Sequence, residues 1–512
     1  RDRLRSRGLG DVYKRQVMRK INLCYFLFVG VLVSCTNTYD VCEMQRNETE
    51  DMSSRMAGDG VYDVLGFGYD ITEDYLGENS TRLQVIDVKA LIRDNGDRFY
   101  NPFIGTIDQK IVAGEDAQSF LQNVITDSNF KGSVAAMDIK KDAEGFFSGT
   151  LSAGFKSASK YSYSSKYSFA KAEVTKKQRK YFVDADVELL SRYLSSNFVS
   201  DLGKYSADQI VAKYGTHVLT NITVGGSYIA YYKSAIIEEN TGTEKKQTVS
   251  AGAKYNMSKV GLDFDGTWST TTITEANKKN SDWTCTIQCV GGTTSGTTIT
   301  LAPNQGPTTT INIGAWSQSV DDTHSRLVDV DWNATYPIYD LVSDPVKKAD
   351  LKLAVEKYIN SKKISVIKLV TLYQLYWPKG VNCHWCTSWS EVLRYKNEGH
   401  EYSGVFGYIC AEEEPGTLPL YRMYWSKGRN SHYITSWAEV RKFQNEGHEY
   451  QGIVGYIYTW NEVNTIPVYS LYYPKGRDSH YLTDKAEVDR FIRERGDQYG
   501  GILGYVLSLI HI

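Results

Sequence analysis

The stretch FFSGTLSAGFKSASKYSYSSKYSF, Phe146 to Phe169, alternates for more than twenty residues. Phe147, Leu151, Ala153, Phe155, Tyr161, Tyr163, Tyr167 and Phe169 fall on odd positions, while the even positions carry serine, threonine and lysine. Period two is a strand signal, yet strands run ~5–6 residues on average. The ribbon divides into Phe147–Phe155 and Tyr161–Phe169, nine residues each and about a turn apart. A second segment passes the same test. In VSAGAKYNMSKVGLDFDGTW the apolar set is Val249, Ala251, Ala253, Tyr255 and Met257, then Val260, Leu262, Phe264, Gly266 and Trp268. The phase flips at Ser258-Lys259, where a hairpin turn belongs, and each arm again has nine residues. Membrane-spanning β-strands need ~9–11 residues. An alternating strand also suits a soluble antiparallel sheet with one wet face.

The chain around these segments has 512 residues, room for two or three domains. A formal net charge of -2 gives no reason to expect a nucleic-acid partner. Its 38 tyrosines shift the expectation toward sheet and binding surface.

Both ends read as additions. Residues 1–17 have no apolar period and read as non-native read-through ahead of Met18, and 509–512 read as a non-native tail. Residues 18–34 form a signal peptide: Arg19 and Lys20, then the apolar run Ile21 to Val33. Leu32-Val33-Ser34-Cys35 resembles a bacterial lipobox, which makes Cys35 the expected lipidation site and 35–59 a polar tether. The expected location is therefore lipid-anchored in the outer membrane or at the cell surface, with release possible. An exported chain can form disulfides. Cys285–Cys289 and one bridge within Cys383, Cys386 and Cys410 are the candidates.

The last third repeats. LYQLYWPKGVNCHWCTSWSEV from Leu372, LYRMYWSKGRNSHYITSWAEV from Leu420 and VYSLYYPKGRDSHYLTDKAEV from Val468 align without gaps. Units of about 370–415, 416–463 and 464–508 predict a closed pseudo-threefold domain over 366–508. Each reads strand, Lys-Gly turn, strand, helix, strand. Ser388 with Glu391, Ser436 with Glu439 and Asp484 with Glu487 have capping-box spacing. Gly399, Gly447 and Gly496 sit where left-handed C-terminal glycines belong. His384, His432 and His480 recur with a threonine three residues on, whereas an active site needs one set, so they read as structural. Cys383 and Cys386 have no second pair at a zinc spacing. Trp377, Trp425 and Tyr473 occupy matching positions beside the first turn and are the candidate receptor-binding residues; Trp389 and Trp437 match at the helix start, where unit three has Lys485. Such rings can stack on a glycan or pack in a core.

The block 60–365 does not repeat. Helical patterns occupy 184–198 and 206–213, the latter with a Ser206–Gln209 capping box, and a helix capped by Asp344 starts at Pro345. YGTHVLTNITVGG, Tyr214 to Gly226, is its most informative segment. It resembles the signature of the membrane attack complex/perforin family: Tyr214, Gly215, Thr216, His217, Gly225 and Gly226 match with the right spacing, and Val218 replaces an aromatic. Gly291-Gly292, Trp316-Ser317 and Pro337-Ile338-Tyr339 follow in the family order. GFGYDIT near residue 66 and the three-unit tail resemble members from gut Bacteroidetes.

The resemblance implies an α+β fold, perforin-like and cholesterol-dependent-cytolysin-like, with a bent, twisted antiparallel sheet flanked by helices. It implies that the glycines serve the bend of the sheet. It also implies two membrane-insertion regions, one before YGTH and one after, where the two alternating segments lie. Members usually store these regions as helical clusters beside the sheet, although serine- and glycine-rich sequence is a weak helix former. The expected function is pore formation by a surface or secreted lipoprotein. It would be antibacterial, bind a glycan, lipopolysaccharide or outer-membrane protein of a target cell through the C-terminal domain, and self-assemble into a ring. The alternative is a non-lytic adhesin or glycan-binding protein on the same scaffold. No nucleophile, paired acid or metal cluster stands out, so no enzyme activity, cofactor or metal is expected.

Overall fold

The computed structural model describes residues 61–128, 130, 145–155, 164–239, 241–263, 269–303, 309–364, 367–379, 382–462, 464–476 and 478–508. Cys35, the signal peptide, the tether, both tails, Tyr161, Tyr163, Phe264, Gly266 and Trp268 lie outside the described residues.

A seven-stranded sheet organises the upstream block. It contains β1 (Ile107–Gly114), β2 (Tyr167–Val183), β3 (Asn221–Ile236), β4 (Asn280–Val290), β5 (Thr298–Leu301), β6 (Arg326–Val330) and the short strand Phe99–Tyr100. β2 and β3 are 17 and 16 residues long and pair antiparallel from Tyr167↔Ala235 to Phe182↔Asn221. Their outer neighbours change half-way. At one end β1 flanks β2 and β4 flanks β3; at the other, Phe99–Tyr100 and β6 take those places. The changeover falls at Gly225–Gly226, opposite an extra residue between Lys177 and Arg179. Such a bulge bends its strand and sharpens the twist.

Helices cover both faces: α1 (Ala117–Asp127), α2 (Gly149–Phe155), α3 (Ala207–Tyr214), α4 (Gly242–Lys259), α5 (Thr270–Asn277) and α6 (Pro345–Ser361). The expected caps form. Ser206 and Gln209 bond each other's backbone at the start of α3, and Asp344 accepts from Val346 and Lys347. The pattern over 184–198 becomes two short helices, Val187–Ser191 and Ser196–Lys204.

The two alternating segments depart most from their period. Phe147–Phe155 is not a strand: Phe147 leads into α2. Val249–Met257 lies inside α4, whose start is fixed by a reciprocal capping box between Thr241 and Glu244. Tertiary packing overrides the local period, as helices in proteins draw most of their stability from the face they bury. Tyr167 and Phe169 are already in β2, paired with Ala235 and Lys233.

The C-terminal units are β7 (Leu369–Trp377), β8 (Asn382–Cys386), α7 (Trp389–Asn397) and β9 (Glu401–Cys410); then β10 (Thr417–Trp425), β11 (Asn430–Ile434), α8 (Trp437–Asn445) and β12 (Glu449–Tyr458); then β13 (Thr465–Tyr473), β14 (Asp478–Leu482), α9 (Lys485–Arg495) and β15 (Gln498–Leu507). In each unit the first strand pairs with both of the others. β9, β12 and β15 meet pairwise at Cys410↔Tyr456, Tyr408↔Leu507 and Tyr458↔Tyr505, which closes a pseudo-threefold ring. Its core is three matched triplets: Leu372, Leu420 and Val468; Trp385, Tyr433 and Tyr481; Ile409, Ile457 and Val506. Ser388 caps α7 through Glu391 N–H and Asp484 caps α9 through Ala486 N–H, whereas Ser436 makes no side-chain cap bond. Gly399, Gly447 and Gly496 take positive φ of 98, 90 and 74°.

The proposed disulfides do not form. None of the described cysteines, Cys285, Cys289, Cys383, Cys386 and Cys410, is joined in a disulfide. Cys285 and Cys289 are four residues apart on β4. At ~3.3 Å per residue their α-carbons stand roughly 13 Å apart, beyond the ~7 Å a disulfide spans.

Candidate functional site

The family-like signature residues meet where α3 ends against the short strand Phe67–Tyr69. Thr216 Oγ1 accepts from Ile71 N–H at 3.2 Å and donates to the Tyr69 carbonyl at 3.1 Å. Tyr214 donates to Asp201 at 2.9 Å. His217 is fully buried, with its Nδ1 3.1 Å from Thr216 Oγ1 and the rings of Phe130 and Trp332 about it. Burial pushes its pKa down to about 3, so the imidazole is neutral. The one hydroxyl it meets, that of Thr216, is buried and tied to the Tyr69 carbonyl, and among the described residues no three metal-ligating side chains gather anywhere. Gly225 and Gly226 sit at the sheet's changeover; Gly291, at a φ of 73°, lies against them, and Gly292, at 71°, lies against Trp316 and Ser319.

Phe147–Phe155 and Val249–Met257 lie on opposite faces of the sheet. Phe147, Leu151 and Phe155 share a buried cluster with Tyr231, while Val249, Ala253 and Met257 share another with Tyr232. Gly154 and Gly252 allow the close approach: a Cβ at either would come within 2.5 Å of the ring of Tyr231 or Tyr232 respectively. The period of two does not match these helical faces. Leu151 and Phe155 are buried but Ala153 is exposed, and Thr150 and Gly154 are buried on even positions. In α4, Val249, Ala251, Ala253 and Met257 are buried, Tyr255 is half-buried, and even-numbered Thr248, Gly252 and Asn256 are buried as well. Val260 and Leu262 are buried just after the helix.

Beside α2 lies a cavity of about 270 Å³, lined among others by Asp74, Ala153, Tyr231 and Cys289. Asp74 accepts from the Tyr231 hydroxyl at 3.3 Å, and burial raises its pKa to about 6. Lys171 and Glu173 form a buried ion pair nearby at 2.6 Å.

In the C-terminal domain the aromatic positions divide by role. Trp377 is buried and packs on His400 at 4.4 Å; Trp425 packs on His448 at 4.5 Å; the Arg495 guanidinium lies 5.0 Å over Tyr473. These rings cover the domain's own side chains, and Trp377 has little surface left for a ligand. The recurring histidines are structural links between units: His384 Nδ1 lies 2.9 Å from Ser431 Oγ and His432 Nδ1 lies 2.8 Å from Ser479 Oγ. Unit three breaks this pattern, with Arg495 beside His480 at 3.1 Å. Sequence reasoning noted the helix-start tryptophans without choosing them, yet Trp437 is 46% exposed beside Tyr421 and exposed Tyr450. The equivalent trio of unit one, Tyr373, Trp389 and Tyr402, is packed at similar centroid distances but covered. Tyr373 donates there to the Ile237 carbonyl at 2.6 Å.

The fold and signature geometry define a perforin-like class of protein. The profile of the MAC/Perforin domain matches residues 52–368, more than half of the chain, and the chain belongs to that family. Residues 371–507 match a family described as a domain of unknown function (DUF5648). Among solved structures, a MAC/Perforin-domain protein from Bacteroides thetaiotaomicron matches at 15% identity and a TM-score of 0.47, covering 64% of this chain and 66% of that one. GNIP1Aa from Chromobacterium piscinae matches at 13% and 0.44, covering 74% and 67%. Pneumolysin matches at 11% and 0.23, covering 49% and 46%. The chain thus spans about two thirds of the first two. No curated protein sequence matches it.

Proposed function

We propose that this is a pore-forming lipoprotein. It binds a competing bacterium through its C-terminal domain, assembles into a ring and refolds both alternating segments into barrel strands. Cys35 carries the anchor in this reading, and replacing it with alanine should abolish palmitate labelling. The carrying observation is the mismatch just described: sequence with a strand's period is folded as short helices on the faces of a sheet whose edges of exit it adjoins. Among the described residues no helix is long and apolar enough to cross a membrane.

The sheet's registers support the reading and revise the hairpins. β3 and β4 end paired at Ile236↔Asn280. Continued outward, that register converges on Ser258 but pairs odd with odd positions; the register before the irregularity, Lys233↔Thr284, converges at Ser258-Lys259, where the sequence flips phase, and sets Val249 opposite Trp268. β1 and β2 end paired at Gly114↔Phe169, and their register converges near Lys141–Asp142. Phe147–Phe169 is then one returning arm rather than a hairpin with a turn near Ser157, and its partner is the outgoing stretch after Gly114. The β2–β3 register sets Ser258 opposite Glu144, so both turns reach nearly the same depth. In this state the odd positions of Phe147–Phe169 and Val249–Met257 and the even positions from Val260 to Trp268 face lipid, and the lysines at 156, 160 and 166 face the lumen.

Dye release from vesicles of phosphatidylethanolamine, phosphatidylglycerol and lipopolysaccharide tests this. Release by purified protein is expected. Binding to target cells without release would favour the non-lytic adhesin.

A further inference from the structure

Both alternating segments leave the sheet at one end, that of Tyr167, Ile236 and Asn280. The C-terminal domain sits on that end. Ser165 N–H donates to the Ile367 carbonyl at 3.2 Å. Leu369 N–H donates to Ser165 Oγ at 2.6 Å, and Ser165 Oγ lies 3.1 Å from the Leu369 carbonyl. The Tyr373 hydroxyl donates to the Ile237 carbonyl, and Ile237 packs into the unit-one cluster with Trp389 and Tyr408. The Lys166 side chain is fully covered, with its ammonium 3.0 Å from Asp282 and 5.2 Å over the ring of Tyr408.

The register makes these contacts consequential. β2 and β3 pair at Tyr167↔Ala235, so two residues further out Ser165 would face Ile237. Those are the residues whose backbone groups the C-terminal domain holds. The Ser165 N–H has one bond to give, and while the Ile367 carbonyl accepts it the ladder cannot; the Tyr373 hydroxyl meanwhile stands on the Ile237 carbonyl that would receive it. The aromatic trio of unit one is therefore committed to this contact, while its copy in unit two stays open.

We propose that the C-terminal domain is a latch: Ile367–Leu369 and Tyr373 hold Ser165 and Ile237, the first pair the β2–β3 ladder must add, so that neither segment can extend until the domain lifts away. This rests on the pore-forming reading, and it joins recognition to insertion. Any target contact that displaces unit one frees both exit points at once.

The test uses the full chain with Tyr373→Phe and Ser165→Ala, each removing hydrogen bonds of the latch while sparing the core. Tyr469→Phe is the control, being the same repeat position in unit three, away from the sheet. Hydrogen exchange of the amides at 164–169 is measured in solution, and the lag before dye release is measured on the vesicles above. One hydrogen bond corresponds to roughly fivefold in exchange rate, so faster exchange and a shorter lag are expected for both variants and for neither wild type nor control. Exchange unchanged from wild type overturns the latch, as does faster exchange with an unchanged lag. If no variant releases dye, the pore-forming reading fails, and exchange alone decides whether the domain restrains this end of the sheet.

Discussion

A Cβ placed on Gly291 would stand 2.4 Å from the carbonyl oxygen of Gly225. The two residues belong to separate glycine pairs, sixty-six positions apart in the chain. Their contact is where the long strands of the sheet exchange outer neighbours. A second cost falls on the same site, because Gly291 has a φ of 73°, a left-handed conformation that costs an L-residue with a side chain ~1–2 kcal/mol.

Gly291→Ala should therefore destabilise the perforin-like domain by about 2–4 kcal/mol, the sum of that strain and of overpacking. Gly296→Ala is the comparison. Its φ is 84° but open space surrounds it, so only the conformational cost, ~1–2 kcal/mol, applies. Thermal denaturation of the two variants checks the difference. Equal losses would mean that the contact with Gly225 carries nothing.

The C-terminal domain should weaken in mild acid. Burial lowers the pKa of His384 to about 3 and of His432 and His480 to about 4, against an unfolded value near 6.5. Their stabilising contribution is whole above pH ~6.5 and is lost as pH falls toward 4. Asp478 runs the other way: burial raises it to about 7, so its protonation returns stability as pH falls from 7 toward 4. Near pH 5.5 unfolding takes up protons on these three histidines, and on His400 and His448, which burial also lowers, while Asp478 and Asp497, both raised by burial, release them, a net uptake of about two. Stability should then fall by roughly 2–3 kcal/mol per pH unit. Tryptophan fluorescence melts at pH 7.5, 6.5 and 5.5 read this directly, and His432→Gln should reduce the slope by about one proton. Asp74 does not act as an acid trigger: with its pKa raised to about 6, falling pH relieves a buried charge and tightens the contact beside α2.

Local signals in the sequence were legible where one residue type answers one local need. The Ser206–Gln209 box, the Asp344 cap and the glycines at 399, 447 and 496 all sit in the conformations their chemistry demands. The gapless repeat likewise implied the triplets Leu372–Leu420–Val468 and Trp385–Tyr433–Tyr481. Burial was not legible in the same way. Trp377 and Trp437 look alike in sequence, yet one packs on His400 and the other is open, because only the three-dimensional neighbour decides. The α2 and α4 helices were hidden for a different reason. Their sequence satisfies a strand's period, and their helical form depends on contacts with Tyr231 and Tyr232 that no local pattern encodes.

Target binding, if it runs through the C-terminal domain, should depend on the open trio rather than on the residues beside the first turn. Trp437→Ala and Tyr450→Ala remove exposed rings and should lower binding to target cells at least several-fold, with the melting temperature nearly unchanged. Trp377→Ala deletes a buried ring, and large-to-small core changes of this kind cost ~3–5 kcal/mol. It should unfold the first unit before any binding loss can be assigned. Flow cytometry with labelled protein, paired with melts, separates the two outcomes. Full binding by Trp437→Ala with Tyr450→Ala would move the receptor site elsewhere.

The alternation itself is best tested where the folded protein is indifferent to it. Leu151→Lys and Ala253→Lys place charge on lipid-facing positions, but both residues are fully buried in α2 and α4, so they would damage the soluble fold as well. Ser152 and Ala153 avoid this. They are neighbours of opposite parity, both exposed on α2, with Ala153 at the border of the cavity beside Asp74. Lysine at either should leave the melting temperature alone. In a barrel, Ala153 faces lipid and Ser152 the lumen; a lipid-facing lysine costs ~2–4 kcal/mol at the midplane and less toward the interface. Tyr255 and Lys254 give the same contrast in α4, where both are half-buried and three or four residues short of the turn at Ser258. Ala153→Lys and Tyr255→Lys should slow dye release at least tenfold, while Ser152→Lys and Lys254→Ser should release at the wild-type rate. Binding to cells should be the same for all four. Equal release from the odd and even variants would remove the barrel.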